Sequence, residues 1–257
     1  MPYVQRNAVA TSVQAPRLSL LGGFELSLDG ERLRVSSPAQ RLLAYLAICP
    51  RHRPVRRASL AEHLWDRTSE TRAASNLRSV LWRLPRPRGR QLVVSDATTV
   101  RLAADVDVDL WAAEELVAVI CSTRGPVLES MGDLAPLGAD LLPDWHDEWL
   151  IVERESHRQK RLHALERSSG HLREVELFND ALTAGLSAVQ GEPLRESAHR
   201  RVIEVHLAEG NHAEALRQFD SYRRLLAREL GLPPSPAIRR LVAPLVGRPV
   251  DLDRPSD

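Results

Sequence analysis

One stretch constrains the fold more than any other, because it indicates two short helices joined by a tight break. It runs from 59 to 84 and reads SLAEHLWDRTSETRAASNLRSVLWRL. Ser59 and Glu62 have the spacing of a capping box, which predicts that the first helix begins there. The break falls at Asp66–Thr68, and either that threonine or Ser69 can cap the second helix through its hydroxyl. The pattern therefore predicts a helix–turn–helix.

The second helix has an apolar face and a polar face. Helical spacing places on the apolar face Ala73, Ala74, Leu77, Val80, Leu81 and Leu84. The opposite face carries Arg72, Ser75, Ser79, Trp82 and Arg83, with Asn76 and Arg78 on its flanks. An ordinary amphipathic helix also has a solvated polar face. Arginine, however, can donate two hydrogen bonds to guanine and asparagine two to adenine, which is what a reader of the DNA major groove needs.

We therefore expect the base-reading side chains to be Arg72, Ser75, Asn76, Ser79 and Arg83. Trp82 is unusual because it is an aromatic residue on the outer face of the helix. The sequence leaves two interpretations open for it. It packs under the hairpin that follows, or it contacts DNA or a protein partner.

The distribution of charge supports a polyanionic partner for the first part of the chain. The formal net charge is only +1, but residues 1–103 carry 17 arginines and 7 acidic residues, a balance of +10. Residues 104–155 carry 2 basic and 13 acidic residues, a balance of −11. A basic domain followed by an acidic segment is typical of proteins whose first domain binds nucleic acid. Lys160 is the single lysine, which indicates a GC-rich coding sequence and lowers the weight of each arginine as a functional signal.

The composition also argues against several classes of protein. The two cysteines, Cys49 and Cys121, form no CxxC pair, so we expect buried, reduced thiols and no disulfide. No GxxxxGK phosphate loop, catalytic motif or metal-ligand pattern is present, so we expect neither an enzyme nor a cofactor or metal. The chain has no apolar run of membrane-spanning length and no signal peptide, which predicts a cytoplasmic protein without a membrane partner.

The rest of the first half predicts a small mixed domain. Residues 17–35 alternate between apolar and polar side chains around a hairpin turn at Asp29–Gly30. A helix then begins at Ser37–Pro38 and ends at Cys49–Pro50. A basic loop over 51–57 precedes the helix–turn–helix. Two strands around 96–99 follow it, in the position of the wing of a winged helix.

The remaining arginines of this domain are candidates for phosphate contacts, which would set the register on a duplex. They are Arg51, Arg53, Arg56, Arg57, Arg78, Arg86, Arg88, Arg90 and Arg101.

The second half predicts helices only. We expect them at 109–119, 144–168, 174–189, 194–209, 211–230 and 237–245, with a loop and one short helix over 124–143. Asn179–Leu182 and Ala213–Leu216 repeat a pattern at an offset of 34 residues, the period of tetratricopeptide helix pairs. The expected fold is mainly α with a small β part. It has a winged helix–turn–helix domain over 17–104 and an all-α, tetratricopeptide-like domain over 105–247, between disordered ends at 1–16 and 248–257.

On these residues the chain resembles the SARP-type bacterial transcriptional activators, which join a winged helix of the response-regulator effector type to a bacterial transcriptional activator domain. The segments that carry the resemblance are LLGGFELSLDG, SLAEHLW, NLRSVLWRL and EPLRESAHRRVIEVHLAEGNHAEALRQFDSYRRLLARELGLPPSP. The resemblance implies a sequence-specific transcriptional activator. It would bind double-stranded DNA at promoter direct repeats as a homodimer and contact the RNA polymerase holoenzyme.

Two departures from the family pattern keep a second function open. Pro85 and Pro87 end the recognition helix early, and the wing tip at Asp96–Thr99 lacks the Gly–Tyr pair common in the family. The alternative is a protein–protein interaction scaffold with a degenerate winged helix that does not read DNA.

Overall fold

The computed structural model describes residues 15–51, 53–122 and 133–246, in which helices predominate and strands are confined to the first part. The chain forms two compact units, Met1–Leu110 and Trp111–Asp257. Most of the expected disordered N-terminus and all of the expected disordered tail lie outside the described residues. The expectation of disorder is wrong for Pro16. This residue is buried, and its carbonyl accepts a hydrogen bond from the Asp107 amide at 2.8 Å.

Unit 1 contains a four-stranded and a three-stranded sheet. The larger sheet joins β1 (Arg17–Ser19), β2 (Glu25–Leu28), β3 (Glu31–Arg32) and β7 (Asp107–Val108) in the order β3-β2-β1-β7. The predicted turn at Asp29–Gly30 connects β2 and β3, and both of its residues have positive φ, at 51° and 81°. The smaller sheet joins β4 (Val55–Arg56), β5 (Val93–Ser95) and β6 (Thr99–Leu102) in the order β4-β6-β5.

Three helices lie between β3 and β5 in the sequence, and β4 separates the first from the second. They are α1 (Ser37–Ile48), α2 (Arg57–Leu64) and α3 (Glu70–Arg83). The order of strands, helix, helix–turn–helix and hairpin confirms the predicted winged-helix layout. Leucines of β1, β2 and the three helices are buried in the core, which includes Leu18, Leu26, Leu42, Leu46, Leu60, Leu64 and Leu77.

The capping box that opened the helix–turn–helix prediction is wrong. The first helix begins at Arg57, two residues before Ser59, and no side chain caps it. The reason is tertiary, because the Arg57 amide donates to the carbonyl of Thr98 at 2.9 Å. The hairpin therefore satisfies a backbone group at this helix end, where a serine hydroxyl was expected to do so. Just before this helix, Val55 and Arg56 pair with β6, so these two residues of the expected basic loop form the strand β4.

Both cysteines were expected to be buried, and this prediction is wrong. Cys49 and Cys121 are both exposed, and no disulfide links them. Each lies at a helix end: Cys49 caps the C-terminus of α1, and Cys121 is in the last turn of a later helix, Asp109–Ser122. Helix ends project from the core, so an apolar residue type there need not be covered.

Unit 2 consists of helices. They are α4 (Asp109–Ser122), which begins in the last residues of unit 1, then α5 (Glu148–Glu174), α6 (Phe178–Gly191), α7 (Glu196–Ala208), α8 (His212–Leu230) and α9 (Pro236–Val246). A 3-10 turn at Ala135–Gly138 precedes α5. Gly231 ends α8 with a φ of 68°, in the left-handed region where a glycine commonly ends a helix. The expected loop over 124–143 lies partly outside the described residues.

The longest helix is displaced from its predicted bounds. It was expected over 144–168, but it begins four residues later and continues six residues further. The prediction ended the helix at Ser168, yet Ser169 and Gly170 are buried where α5 packs on the helices that follow. The Ser169 hydroxyl donates to the carbonyl of Ala181 at 2.8 Å, so this serine joins α5 to α6 and does not end α5.

Successive helices of unit 2 pack on one another from α5 to α9. One apolar cluster joins α7, α8 and α9 through Ile203, Ala215, Tyr222, Leu226, Ile238 and Val242. Ala215 belongs to the predicted 34-residue repeat, and Leu216 and Phe219 pack against the same cluster. Within the described parts of the chain, no helix combines the length and the apolar character needed to cross a bilayer.

Candidate nucleic-acid interface

The polar face of α3 is turned to solvent, as its spacing predicted. Arg72, Ser75, Ser79 and Arg83 are exposed, and Asn76 is half-buried on the flank. On the opposite side Ala73, Leu77 and Val80 are buried. Three members of the expected apolar face differ, since Ala74 is exposed and Leu81 and Leu84 are only half-buried.

Packing fixes which way this face points. The buried side of α3 contacts α2 extensively and α1 to a smaller extent, so the helix cannot rotate about its axis without exposing Leu77. In the part of the chain that the structure describes, the side chains of Arg72, Asn76 and Arg83 form no hydrogen bond and no ion pair. These side chains therefore have their donors available for an external acceptor.

A groove of about 570 Å³ runs between α2 and α3, and it brings two predicted phosphate residues onto one surface. Arg57 and Arg78 both line it. Glu62, Asp66 and Glu70 contribute carboxylates to the same lining, and the other lining residues are uncharged. The groove is therefore of mixed charge, unlike the face of α3 that points to solvent.

A second surface gathers three arginines of the basic segment. Arg51, Arg53 and Arg56 line an open depression of about 580 Å³ between the end of α1 and the start of α2. The strand β4 positions this depression, because its residue Arg56 pairs with Thr99 of β6. This pairing holds the basic segment beside the hairpin of β5 and β6. All three arginines are exposed, which suits contacts with phosphates.

Arg57, Arg88 and Arg90, which were predicted to contact phosphates, have identified partners within unit 1. The guanidinium of Arg57 donates to the Ser95 hydroxyl at 2.5 Å and to the Asp96 carbonyl at 3.3 Å. Arg88 forms an ion pair with Asp29, and Arg90 forms one with Asp105 at 3.2 Å. The sequence did not reveal these pairs, because each joins residues far apart in the chain.

The remaining predicted phosphate residues lie at separate places. Arg78 is exposed on α3, Arg86 is exposed just beyond the end of that helix, and Arg101 is half-buried in β6. The helix ends at Arg83 with Leu84 as its C-cap, as the two following prolines predicted. Arg86 therefore extends from an irregular segment and does not continue the face of α3.

The tip of the hairpin is built around a charged aspartate. The carboxylate of Asp96 accepts the backbone amides of Thr98 and Thr99, each at 2.7 Å. It also accepts both threonine hydroxyls, at 3.0 and 2.7 Å. The Thr99 hydroxyl is the largest of these influences, and together they hold the pKa of Asp96 well below its usual range. The spacing of an aspartate followed two and three residues later by threonines could have revealed this turn in the sequence.

This geometry gives the hairpin tip a permanent negative charge. A phosphate backbone would repel that charge, and the tip offers no arginine or aromatic side chain for insertion into a minor groove. The arrangement thus favours contacts by α3 and by the basic depression over contacts by the hairpin tip.

Comparison with known proteins places the chain among transcriptional regulators. The family model described as "Bacterial transcriptional activator domain" matches residues 97–245, which is more than half of the chain. The regulatory protein AfsR of Streptomyces coelicolor is 27% identical over 241 residues, a match that covers 88% of this chain and 24% of that protein. The transcriptional regulatory protein MoaR1 of Mycobacterium tuberculosis is 23% identical over 251 residues, which covers 90% of this chain and 79% of that protein.

A solved structure shares the fold. It is that of Mycobacterium tuberculosis EmbR in complex with a low-affinity phosphopeptide, which superposes with a TM-score of 0.69 at 19% sequence identity. The likeness covers 93% of this chain and 67% of that one. The chain corresponds to about a quarter of the length of the AfsR proteins. These relatives are regulators of the SARP type and the matched family is one of regulators, not of enzymes. The chain belongs to the bacterial transcriptional activator domain family.

Proposed function

We propose that this protein is a sequence-specific, double-stranded DNA-binding transcriptional activator that reads its site with α3. The observation that carries the proposal is the solvent-facing side of that helix, where Arg72, Asn76 and Arg83 have no partner among the described residues. Base edges in the major groove offer the acceptors that such donors fit. Ser75 and Ser79 lie between them and would complete the base-reading set.

The arginines of the basic depression would hold the phosphates. Arg51, Arg53 and Arg56 are exposed on one surface, and each phosphate that they neutralise would release counterions. Arg78 and Arg86 would add contacts on either side of the reading helix. Arg57, Arg88 and Arg90 are engaged within unit 1, so in this proposal they mainly shape the surface.

The helical unit would supply the contacts with proteins. Successive pairs of packed helices leave polar outer surfaces, which suit an interface with RNA polymerase holoenzyme and self-association on DNA. Binding of two copies to adjacent direct repeats would appear as cooperative occupancy that depends on the spacing of the repeats. Equal occupancy of single and tandem sites would contradict the homodimer.

The reading role of α3 is tested by Arg72→Ala and Arg83→Ala. A duplex selected by the full-length chain and a scrambled duplex are titrated with each variant by fluorescence anisotropy. We expect each variant to lose about 1–3 kcal/mol on the selected duplex and much less on the scrambled one, because a base contact acts at one base pair.

A matched control removes an exposed arginine from the helical unit. Arg224→Ala takes away the same charge from α8 and is expected to leave both affinities nearly unchanged. Equal losses on the selected and scrambled duplexes for Arg72→Ala and Arg83→Ala would contradict base reading by this face.

A second candidate is a protein–protein interaction scaffold that does not read DNA. The observation in its favour is the hairpin tip, where Asp96 holds a negative charge in the position of a wing. The exposed arginines of the first unit, and not this tip, would then dock on an acidic protein surface. Absence of salt-dependent binding to any duplex would favour the scaffold, since neutralised phosphates give binding a steep dependence on salt.

A further inference from the structure

One large aromatic residue on the reading helix is not explained by the fold. The side chain of Trp82 is 84% exposed. The sequence allowed it to pack under the hairpin, but the structure excludes that arrangement. No other large apolar side chain among the described residues of unit 1 is comparably exposed; the next, Val94, is 37% exposed. Leaving a tryptophan in water forfeits the free energy of its burial. Its exposure therefore indicates a surface that binds a partner.

The position of Trp82 on α3 relates it to the predicted base readers. Ser75, Ser79 and Trp82 occur at i, i+4 and i+7, so they form one row along the helix. Ser75 and Ser79 are exposed on the same polar face. Trp82 therefore extends that face by about one helical turn, or roughly 5 Å, toward the C-terminal end of the helix.

The surroundings of Trp82 favour a nucleic acid over an apolar protein surface. Arg78 precedes it by one turn, Arg83 is its neighbour in sequence, and Arg86 follows the end of the helix. All three arginines are exposed. The centres of protein interfaces are depleted of charge around their aromatic anchors, whereas DNA interfaces combine positive charge with a few apolar contacts.

We propose that the indole ring of Trp82 contacts the C5 methyl group of a thymine in the major groove. This methyl is the apolar group that base edges present there, and it distinguishes thymine from cytosine. The inference rests on the proposed function, because it requires α3 to lie in the groove. It adds a specificity-determining residue whose selectivity comes from apolar contact and not from hydrogen bonding.

Deoxyuridine provides a chemical test, because it differs from thymidine in DNA by the absence of this methyl. A preferred site is first selected from random duplexes with the full-length chain. Each thymidine of that site is then replaced by deoxyuridine in turn, and the affinities of the wild type and of Trp82→Ala are measured by anisotropy. For the wild type we expect a loss of about fourfold at one or two positions, which corresponds to about 0.8 kcal/mol for one buried methyl.

The variant should be insensitive to the same replacements. Trp82→Ala is expected to bind the thymidine site five- to tenfold more weakly, with no further loss on deoxyuridine. Trp82→Phe, which keeps an aromatic ring, should retain most of the discrimination. The methyl effect should also persist as salt is raised, because it involves no charge.

The control variant is Val152→Ala, which truncates an exposed apolar residue of α5 and should leave the affinity and the deoxyuridine effect unchanged. Thermal unfolding of Trp82→Ala should match that of the wild type, because the ring makes little contact with the fold. A deoxyuridine effect that is absent in the wild type, or equal in wild type and Trp82→Ala, would overturn the thymine contact. Selection that enriches no sequence would instead overturn the proposed function.

Discussion

At the scale of single residues, burial and hydrogen bonding decide which groups carry charge at neutral pH. Asp96 is exposed and is held ionised by four hydrogen bonds, whereas His157 is buried in α5 and is held neutral. Burial is the main cause at His157, the positive charge of Arg161 adds to it, and the pKa falls to about 4. A hydrogen bond to the Ala139 backbone and the charge of Asp140 oppose this shift.

The histidine predicts a pH dependence of stability. Its pKa is about 4 in the folded chain and near 6.5 when unfolded, so the unfolded state binds more protons between these values. The stability is fully present above pH 6.5 and falls as the pH is lowered toward 4, by about 3 kcal/mol from this group. Denaturant titrations of His157→Gln at several pH values should show a shallower decline than those of the wild type.

The control for that measurement is another histidine of the same helix. His163 is exposed, so His163→Gln should leave the acid-side decline unchanged. If His157→Gln and the wild type lose stability in parallel on acidification, the buried histidine does not cause the decline.

The aspartate predicts a change in local order. Asp96→Ala removes the acceptor of the Thr98 and Thr99 amides, so both amides should exchange with solvent faster. Hydrogen exchange measured by nuclear magnetic resonance would show this at two assigned positions. Asp105→Ala removes a carboxylate that pairs with the Arg90 side chain, away from the Thr98 and Thr99 amides in the hydrogen-bond network, and it should leave both amides unaffected. Unchanged protection in Asp96→Ala would show that strand pairing alone orders the tip.

At the scale of elements, close approach of helices organises unit 2. Gly191 ends α6 beside two buried residues of α5. A Cβ at this position would lie 2.7 Å from Cδ2 of Leu162 and 3.0 Å from Nη1 of Arg161. Neither side chain can easily retreat, because Leu162 is fully buried and Arg161, 1% exposed, donates to the Leu137 carbonyl and pairs with Asp140.

This contact predicts that Gly191→Ala destabilises the chain by about 1–3 kcal/mol, the usual cost of overpacking a core. The matched variant is Gly170→Ala in α5, where the new Cβ would lie 3.5 Å from Nη1 of Arg201, at ordinary contact distance. There the gain in helix propensity, up to about 1 kcal/mol, should dominate. Chemical denaturation of both variants gives the comparison, and equal effects would contradict the steric account.

At the scale of the whole molecule, the uneven distribution of charge predicts how binding responds to salt. The balance of +10 over 1–103 comes entirely from arginine, and several of these arginines are exposed in unit 1. Long-range attraction to DNA follows from such a surface, and its strength falls as salt screens it. The second unit is close to neutral beyond the acidic segment of 104–155, so it would add little to this attraction.

The salt dependence separates free from paired arginines. The logarithm of affinity for a scrambled duplex should fall linearly with the logarithm of salt, and Arg53→Ala should reduce the slope by about 1. Arg88→Ala should reduce it less, because Asp29 already neutralises that guanidinium. Titrations at four salt concentrations would measure both slopes. An equal reduction for the two variants would show that the ion pair opens on DNA.

Much of the fold follows from periodicity in the sequence. The helical spacing of Ala73, Leu77 and Val80 determined the buried side of α3, and therefore also the exposed side that carries Arg72 and Arg83. Pro85 fixed the end of that helix because it lacks an amide and restricts the residue before it. Local chemistry of this kind needs no distant partner, so it can be predicted from a single sequence.

The tertiary structure decided which groups have partners. Arg57 meets Ser95 across 38 residues of sequence, and Arg88 meets Asp29, so two predicted phosphate residues are engaged inside the unit. Packing also decided that α5 runs past Ser168 and that Trp82 stays uncovered. Contacts between residues far apart in the chain leave no periodic signal in the sequence. Only the folded chain, which brings such residues within reach, determines which charges and apolar surfaces remain for a partner.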